Sequence, residues 1–443
     1  MSETKIIVLD DDPTGSQTVH SCLLLTRWDA ETLHEAILDA SPIFFVLTNT
    51  RGMAAKPAAE VTREVCKNLK LALAELKRHG HDINPIVVSR SDSTLRGHYP
   101  VETDVIADEL GPFDAHFLVP AFFEGGRITR DSIHYLLVNG IETPVHETEF
   151  ARDSVFGYRH SYLPAYVEEK TADKIKAAQV ERFLLKDVRG DSLTRLLQLR
   201  NNVCAVVDAE TQNDLNHFAE QLRVATAQSK RFLFRSAASL LTALAHLPKQ
   251  PVAAREMARY VRDGKPGAII IGSHVRKTTL QLEQLLKMPH VTAIEVNVEH
   301  LPARHDELLA DVIRLCAECH AAGNTAAVFT SRLERTFPDQ ATRLAFGESV
   351  SAFLMEVVRN LPATLGFLIS KGGITSNDVL SSGLALRTSR VVGQILPGCS
   401  VVCCPADHPR YPNLPVVIFP GNVGDDQAVA TVYGRLAGYN IAA

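Results

Sequence analysis

Residues 89–97, with the sequence SRSDSTLRG, form the segment of this chain best equipped for chemistry. They contain two arginines, one carboxylate and four hydroxyls, directly after the apolar run 86–88. A guanidinium is a planar donor that suits a carboxylate or a phosphate, and hydroxyls suit a polyol. Ligands of open α/β sheets bind where strands end. The segment therefore predicts a site for a small, oxygen-rich anion. The alternative is a solvated turn, because Ser, Asp and Thr also cap helices.

Polar loops follow three other predicted strands in the first half of the chain. These loops are residues 10–16 (DDDPTGS), 49–52 (NTRG) and 120–127 (PAFFEGGR). The strands of a parallel sheet end at one shared edge, so the loops are expected to meet the 89–97 segment there. For residues 10–12 the alternative is an Asx turn, and Arg96 could instead form a solvated ion pair with Glu102 or Asp104.

Alternating strand-like and helix-like runs position these loops. Strands are predicted at 5–9, 43–48, 86–89 and 116–120, and helices at 29–39, 58–80 and 101–109. Residues 150–180 are less regular and predict an inserted flap or hairpin. The alternation resumes at 203–208, 214–226 and 232–235. Strands separated by helices indicate βαβ units and a mostly parallel sheet.

A second α/β unit is predicted after linker-like residues 248–251 and 263–267. Its strands are expected at 268–272, 326–330, 365–370, 400–404 and 416–419. The sequence thus predicts an α/β protein of two domains, residues 1–247 and 248–443, with mostly parallel sheets and a ligand cleft between them.

Three loops after strands of the second unit are rich in glycine and hydroxyls. They are residues 272–279 (GSHVRKTT), 370–378 (SKGGITSND) and 419–426 (FPGNVGDD). Paired glycines let backbone amides approach an anion, and a helix start favours negative charge. The first loop lacks the second glycine of a P-loop. Ordinary helix capping is the alternative for Asp425. Together the loops favour a nucleotide-binding domain.

Composition excludes several classes of function. The 443 residues are 46% hydrophobic and 22% charged, with a net charge of −5, which gives no reason to expect a nucleic-acid partner. The longest apolar runs, about eight residues, are too short for a membrane span. No secretory signal is visible, so the eight cysteines are expected to be reduced thiols in a cytoplasm. Residues 316–320 (CAECH) match a haem-attachment pattern, but their surroundings predict an amphipathic helix.

The chain resembles the four-carbon acid sugar kinases. The matching segments are DDPTG at 11–15, DSTLRG at 92–97, PAF at 120–122, GR at 126–127, GS at 272–273, KGGITS at 371–376 and GNVG at 421–424. The resemblance implies an N-terminal domain that binds the acid sugar and a C-terminal domain that binds ATP. It implies phosphorylation of a threonate-, erythronate- or 3-oxo-tetronate-type acid with ATP and Mg²⁺.

The first motif departs from the family pattern, which generally reads Ala-Asp-Asp-Phe-Thr-Gly-Ala followed by a further Asp. Asp10 stands at the position of the first Ala, Pro13 at that of Phe, and Thr18 at that of the later Asp. An Asp-to-Thr change removes a charge and adds a hydroxyl donor near the expected substrate. The four-carbon acid used, its stereoisomer and the hydroxyl that is phosphorylated are therefore left open.

The resemblance suggests a role for each candidate residue. Arg51, Arg90 and Arg96 are candidates to hold the substrate carboxylate, and Asp11, Asp12 and Asp92 to accept hydrogen bonds from its hydroxyls, with Ser91 and Ser93 nearby. The nucleotide is expected to contact Ser273, Gly372, Gly373, Ile374, Thr375, Gly421 and Asn422. Asp425 is the candidate general base or Mg²⁺ partner, with Asp12 and Asp92 as alternatives for the base.

Two other functions are less well supported by the sequence. A non-catalytic, two-lobed binding protein for a small carboxylic acid is the main alternative, and the glycine loops argue against it. A dinucleotide-dependent oxidoreductase is the second alternative, but the sequence has no G-x-G-x-x-G motif after a predicted strand. The expected partner is a small sugar acid, with neither nucleic acid nor membrane, and a homodimer is left open.

Overall fold

The computed structural model describes residues 3–138, 140–273, 275–332, 337, 339–421 and 423–439. The chain divides into two compact units, Met1–Pro248 and Lys249–Ala443. Each unit has its own buried apolar core. No helix in the described part of the chain is both long and apolar enough to cross a membrane.

The N-terminal unit contains eleven strands and eight α-helices in the part that the structure describes. Its strands are β1 (Glu3–Asp10), β2 (Cys22–Leu25), β3 (Ile43–Leu47), β4 (Ile83–Arg90), β5 (Ala115–Val119), β6 (Arg127–Arg130), β7 (Ile133–Val138), β8 (Ile141–Pro144), β9 (Glu181–Phe183), β10 (Val203–Val207) and β11 (Phe232–Ser236). Its helices are α1 (Ala30–Leu38), α2 (Ala55–Arg78), α3 (Val101–Leu110), α4 (Leu163–Lys170), α5 (Leu185–Val188), α6 (Leu193–Gln198), α7 (Gln212–Ala227) and α8 (Ala238–Ala245).

Eight of these strands form one parallel sheet in the order β2-β3-β1-β4-β11-β5-β10-β9. After β1 the chain builds β2 and β3 on one side, then crosses to place β4 on the other. Strand order therefore reverses between β1 and β4, which is where open α/β sheets bind ligands. In register, Asp10 lies beside Leu47 and Arg90, and Arg90 beside Ser236. The ends of β1, β3, β4 and β11 thus share one edge.

The apolar pattern explains these elements. Strand β4 ends in a fully buried run, as a strand covered on both faces should. Helix α2 buries Val65, Cys66, Leu69, Ala72 and Leu76 at the three- and four-residue spacing of one helix face. Helix α7 begins at a capping box in which the Thr211 side chain accepts from the Asp214 backbone amide. These elements fix the sheet edge on which the polar loops lie.

The sequence predictions of β1, β3, β4, β5, β10, β11, α1, α2, α3 and α7 are confirmed apart from their ends. The hairpin predicted in residues 150–180 is wrong. That segment contains α4 and short helical turns, while the antiparallel strands β6, β7 and β8 lie before it. Strand β7 was missed because its buried side chains are His134 and Leu136, so a histidine interrupts the apolar alternation.

The C-terminal unit contains seven strands and five α-helices among its described residues. Its strands are β12 (Ala268–Ile271), β13 (Val291–Val296), β14 (Thr325–Thr330), β15 (Leu368–Lys371), β16 (Thr388–Leu396), β17 (Cys399–Cys403) and β18 (Pro415–Phe419). Its helices are α9 (Arg276–Leu285), α10 (Leu301–Ala321), α11 (Gln340–Asn360), α12 (Gly373–Asp378) and α13 (Ala428–Ala437).

The sheet of this unit runs β13-β14-β12-β15-β18-β17-β16, with the first five strands parallel and the last two antiparallel. The predicted α/β class with mostly parallel sheets is therefore confirmed for each unit. Strands β13 and β16 were missed. Cys316 and Cys319 are buried free thiols on α10, as the helix prediction expected.

Candidate functional site

The ends of β1 and β3 bring Asp11 and Arg51 into a paired contact. Arg51 donates to both carboxylate oxygens of Asp11, with Nη2–Oδ1 at 2.5 Å and Nε–Oδ2 at 3.2 Å. Its third nitrogen, Nη1, lies 3.5 Å from Asp12 Oδ2. Asp11 is almost fully buried, whereas Arg51 and Asp12 keep 18% and 20% of their side chains exposed. Arg51 and Asp12 can therefore reach a ligand, and Asp11 orients Arg51.

Asp12 also forms the Asx turn that was the alternative explanation. Its Oδ1 accepts from the Thr14 backbone amide at 2.9 Å and from the Thr14 hydroxyl at 2.5 Å. Burial raises the pKa of Asp12, but the charges of Arg51 and Arg90 and these hydrogen bonds outweigh it, so the pKa lies below its ordinary value. The turn leaves Oδ2 on the Arg51 side, so Asp12 combines a structural role with an open acceptor.

Asp92 and Arg96 form a second pair on the 91–97 loop. Arg96 Nε donates to Asp92 Oδ2 at 2.7 Å, and the Arg96 guanidinium lies over the Phe150 ring, 4.9 Å from its centroid. The suggested pairing of Arg96 with Glu102 or Asp104 is wrong, because its second carboxylate partner is Asp153 at 3.7 Å. The Arg96 side chain is 24% exposed and that of Asp92 14% exposed.

The charge state of Asp92 follows from its neighbours. Burial raises the pKa of its carboxyl, but Arg51, Arg96 and a hydrogen bond from Thr94 outweigh burial, so the pKa lies well below its ordinary value. Asp92 is therefore a carboxylate at neutral pH and can only accept hydrogen bonds. This suits it to orient hydroxyl donors.

Three aromatic side chains contact backbone carbonyls of this loop. His134 Nε2 contacts the Ser93 carbonyl at 2.8 Å, the Tyr158 hydroxyl donates to the Thr94 carbonyl at 2.8 Å, and the Tyr166 hydroxyl donates to the Leu95 carbonyl at 2.9 Å. Burial lowers the pKa of His134 to about 4, so its ring is neutral at physiological pH. The backbone of the loop is therefore fixed through its carbonyls.

Gly97 ends the loop in a backbone conformation that residues with a side chain rarely adopt. Its φ is +129°, and a Cβ atom there would lie 2.5 Å from Ser91 Oγ and 2.6 Å from Arg235 Nη2. Ser91 Oγ in turn lies 3.0 Å from Asp11 Oδ2 and accepts from Arg235 Nη2 at 2.7 Å. Only glycine fits between these groups.

A buried network that the sequence did not reveal supports this site. Arg235 on β11 donates from Nη1 to Glu102 Oε2 at 2.5 Å and to Ser89 Oγ at 2.6 Å, and Thr50 donates to Glu102 Oε1 at 2.5 Å. Residues 89 and 235 are 146 positions apart in the chain, and only the pairing of β4 with β11 brings them together. No local pattern signals such a contact.

Asp10 and Arg90 lie deeper at the same edge. The Asp10 side chain is fully buried and that of Arg90 is 4% exposed, and they pair through Oδ1 and Nη1 at 3.2 Å. Burial raises the pKa of Asp10 to about 7, although Arg90 acts in the opposite direction. Arg90 is thus far less accessible than Arg51 or Arg96.

In the C-terminal unit three neighbouring strands end in the predicted glycine loops. Ile271 lies in register with Lys371, and Lys371 with Phe419, so Gly272, Gly372 and Pro420 follow at one edge. A Cβ at Gly272 would lie 2.6 Å from Thr375 Oγ1, and one at Gly372 would lie 3.3 Å from that atom and 3.6 Å from Ser273 Cβ. Gly372 has a φ of +118°. Ser273, Gly372, Gly373 and Thr375 are therefore close together.

Lys371 is a member of this edge that the candidate set omitted. Its side chain is fully buried, and Nζ donates to the Pro420 carbonyl at 2.5 Å and the Gly421 carbonyl at 3.1 Å. The ammonium also lies 4.3 Å from the centroid of the Phe419 ring. Burial lowers the pKa of Lys371 to about 7. Lys371 thus ties the end of β15 to the loop after β18.

The remaining C-terminal candidates differ in their surroundings. Asp425 is exposed, and its Oδ1 accepts from the Gln427 backbone amide at 3.0 Å, just before α13. Ile374 is 70% exposed on the first turn of α12, which is unusual for a large apolar side chain. Gly421 has open space where a Cβ would stand. Asn422 lies outside the described residues.

No group of three His, Cys, Asp or Glu side chains able to hold a metal ion occurs in the described part of the chain. The carboxylates of the N-terminal site are instead paired with guanidinium groups.

Comparisons with known proteins now give the family. Residues 6–244 match the family model of a sugar-binding N-terminal domain, and residues 268–429 match that of a nucleotide-binding C-terminal domain. The chain belongs to the four-carbon acid sugar kinase family.

Two curated members of this kinase family align with part of the chain. A D-erythronate kinase from Heliobacterium modesticaldum is 27% identical over 221 residues, which cover 49% of this chain and 47% of that enzyme. A D-threonate kinase from Bordetella bronchiseptica is 26% identical over 165 residues, which cover 35% of this chain and 37% of that enzyme. The aligned regions thus span less than half the length of both relatives.

Solved structures share the fold of this kinase family member. A Salmonella typhimurium LT2 protein proposed to be a tRNA synthase superposes with a TM-score of 0.69 at 19% identity, covering 98% of each chain. A Haemophilus influenzae protein superposes with a TM-score of 0.63 at 18% identity, covering 97% of this chain and all of the other. At such identities the likeness concerns the fold alone.

Proposed function

We propose that this protein transfers the γ-phosphoryl group of ATP to a hydroxyl of a four-carbon sugar acid of the threonate, erythronate or 3-oxo-tetronate type. One observation carries the proposal. In the unit that matches a sugar-binding domain, two guanidinium groups and two carboxylates remain partly exposed at one strand edge while buried partners fix their positions. These four groups are complementary to a molecule with one carboxylate and several hydroxyls.

The exposed members of the site bind the acid directly. Arg51 and Arg96 donate to the substrate carboxylate, because each retains N–H groups beyond those used by its aspartate partner. Asp12 and Asp92 accept hydrogen bonds from substrate hydroxyls. Ser93 adds backbone and hydroxyl groups on the same loop.

The buried members orient the exposed ones. Asp11 holds Arg51 through two hydrogen bonds, and Ser91 links Asp11 to the Arg96 carbonyl at 2.8 Å. Arg90, which lies 3.7 Å from Asp11 Oδ1, keeps a positive charge behind the pair. Substitution of a buried member should therefore act through the position of Arg51 or Arg96.

The glycine edge of the C-terminal unit binds ATP. The backbone amide of Gly373 at the start of α12 suits a phosphate, whereas that of Gly372 donates to the Phe419 carbonyl at 2.8 Å. The Ser273 and Thr375 hydroxyls lie beside this helix start. The exposed Ile374 side chain offers an apolar contact to the nucleotide, and Gly421 leaves room on the neighbouring loop. Mg²⁺ enters with ATP and neutralises phosphate charge, as in phosphoryl transfer generally.

In the reaction a substrate hydroxyl oxygen forms a bond to the γ-phosphorus, the bond between that phosphorus and the β–γ bridging oxygen breaks, and ADP leaves. The hydroxyl proton passes to a carboxylate. Asp425 is our candidate for this base, with Asp12 and Asp92 as alternatives. Replacement of Asp425 by Asn should retain ATP binding and greatly reduce turnover. Turnover within a few-fold of wild type would assign the base elsewhere.

Arg96 gives the sharpest test of the acid site. Arg96→Ala removes a guanidinium that donates to the substrate carboxylate and that Asp92 and Phe150 hold in place. Transition-state binding should therefore weaken by about 2–4 kcal/mol, measured as a lower kcat/KM for the acid. KM for ATP should change little. Arg78→Ala, at an exposed arginine in the last turn of α2, is the matched control. Equal kinetics for the two variants would remove Arg96 from the site.

A further inference from the structure

One row of the N-terminal sheet ends in three buried polar residues. Asp10 on β1 is in register with Arg90 on β4, and Arg90 with Ser236 on β11. Residues in register on adjacent strands project from the same face of a sheet. Their relative exposures are 0%, 4% and 3%. The row therefore forms a continuous polar strip inside the protein, at the edge where the strands end.

Each member of this row has one buried polar atom that lacks a hydrogen-bond partner among the residues that the structure describes. These atoms are Asp10 Oδ2, Arg90 Nε and Ser236 Oγ. Nearly all buried polar groups in folded proteins are hydrogen-bonded, and each exception costs about 1–3 kcal/mol. Three exceptions on adjacent strands indicate that a polar group from outside the chain completes the row.

The three atoms define the chemistry of that group. A carboxylate oxygen accepts, a guanidinium Nε donates, and a serine hydroxyl does both. An alcohol both donates and accepts, so a single hydroxyl can match all three atoms. Gly15 packs closely against this row, since a Cβ there would lie 2.0 Å from Asp10 Oδ2. The row is therefore complementary to a hydroxyl group.

The row is continuous with the candidate acid site. The Ser91 backbone amide donates to the Ser236 carbonyl at 2.9 Å, and Arg90 Nη1 lies 3.7 Å from Asp11 Oδ1. Ser236 also lines a small pocket together with Ser91, Asp92 and the Tyr166 ring. A ligand held by Asp92 therefore has Ser236 within the same pocket.

We propose that Asp10, Arg90 and Ser236 form a subsite for one hydroxyl of the acid substrate, and that Ser236 and Asp10 determine which hydroxylated acids the protein accepts. The inference rests on the proposed function and specifies its substrate recognition. A permanently bound water molecule is the competing occupant, and it gives different results in the experiment below.

Ser236→Ala is the decisive variant. Its Oγ has no hydrogen-bond partner among the described residues, so its removal breaks no hydrogen bond of the protein and should not lower the Tm of the substrate-free protein. If a substrate hydroxyl binds there, KM for the preferred acid should rise about 3- to 10-fold while KM for ATP stays constant. The preference for that acid over its analogue lacking one hydroxyl should fall by the same factor.

Ser41→Ala is the matched control, because Ser41 Oγ is also buried without a partner but lies just before β3, at the opposite end of that strand. Asp10→Asn provides a second variant, since it keeps the side-chain shape and an acceptor for Arg90. It too should reduce the preference for the hydroxylated acid.

The outcomes separate the inference from the proposed function. A wild-type protein that phosphorylates no four-carbon acid overturns both. An active wild type whose Ser236→Ala variant keeps the wild-type preference for the hydroxylated acid overturns the inference alone. A Ser236→Ala variant with lowered Tm and unchanged KM assigns the row to a structural water molecule and also overturns it.

Discussion

Asp10 makes the stability of the N-terminal unit depend on pH in a way that one substitution should remove. In the unfolded chain its carboxyl ionises above about pH 4. In the folded protein burial raises its pKa to about 7 from the model-compound value of 3.8. The folded state therefore keeps a proton that the unfolded state has lost. The contribution of Asp10 to stability is fully present below pH 4 and is lost as the pH rises through 7.

The size of this effect follows from the two pKa values. They differ by about three units, and each unit corresponds to about 1.4 kcal/mol, so the loss between pH 4 and pH 8 is about 4 kcal/mol. Asp10→Asn cannot ionise and lacks this dependence. Relative to wild type, the variant should become steadily more stable from pH 4 to pH 7, and the difference should be constant above pH 8.

Thermal unfolding of both proteins at pH 4.5, 6, 7 and 8 measures the difference directly, and groups that titrate equally in both cancel. Asp82→Asn, at an exposed aspartate, controls for the removal of one aspartate. Stability curves of wild type and Asp10→Asn that run parallel over this range would refute a buried, protonated Asp10.

Two further substitutions test the loops. Gly97→Ala places a methyl group 2.5 Å from Ser91 Oγ in a left-handed backbone, so kcat/KM for the acid should fall at least about tenfold, whereas Gly80→Ala, at φ +88° in open space, should cost only about 1 kcal/mol of stability. Equal kinetics for these two variants would show that the loop tolerates the methyl group. Lys371→Met removes two hydrogen bonds to the Pro420–Gly421 loop, so ATP affinity measured by calorimetry should fall about tenfold. Unchanged ATP affinity would separate Lys371 from the nucleotide site.

Strand ends were the part of the site that local sequence could predict. Polar residues after apolar runs identified the loops of Asp11, Arg51 and Asp92, and the parallel sheet placed those loops at one edge. The same reasoning found Gly372 and Gly421 in the other unit. Residue type and position in the sequence were sufficient to predict these loops, because all strands of a parallel sheet end at the same edge.

The hydrogen-bond and ion-pair partners that depend on the order of the strands could not be predicted from the sequence. Arg235 and Ser236 reach the site only because β11 pairs with β4, which no local pattern specifies. Glu102 on α3 then meets Arg235 there. The partner of Arg96 was missed for a related reason, since Asp153 lies in an irregular segment for which the sequence predicted a flap or a hairpin. Lys371 stood inside a recognised motif, but its burial against Phe419 depends on the neighbouring strand.

Formation of product from ATP and a four-carbon acid tests the central claim most directly. The protein should be incubated with MgATP and, in separate reactions, with D- and L-threonate, D- and L-erythronate and their 3-oxo forms, while ADP is quantified and the acid is analysed by mass spectrometry. These are six substrates, because the four acids share two 3-oxo enantiomers. With at least one of the six, we predict that ADP and a singly phosphorylated acid form in equal amounts. Binding of an acid with neither ADP nor phosphorylated acid formed from any of them would contradict the account.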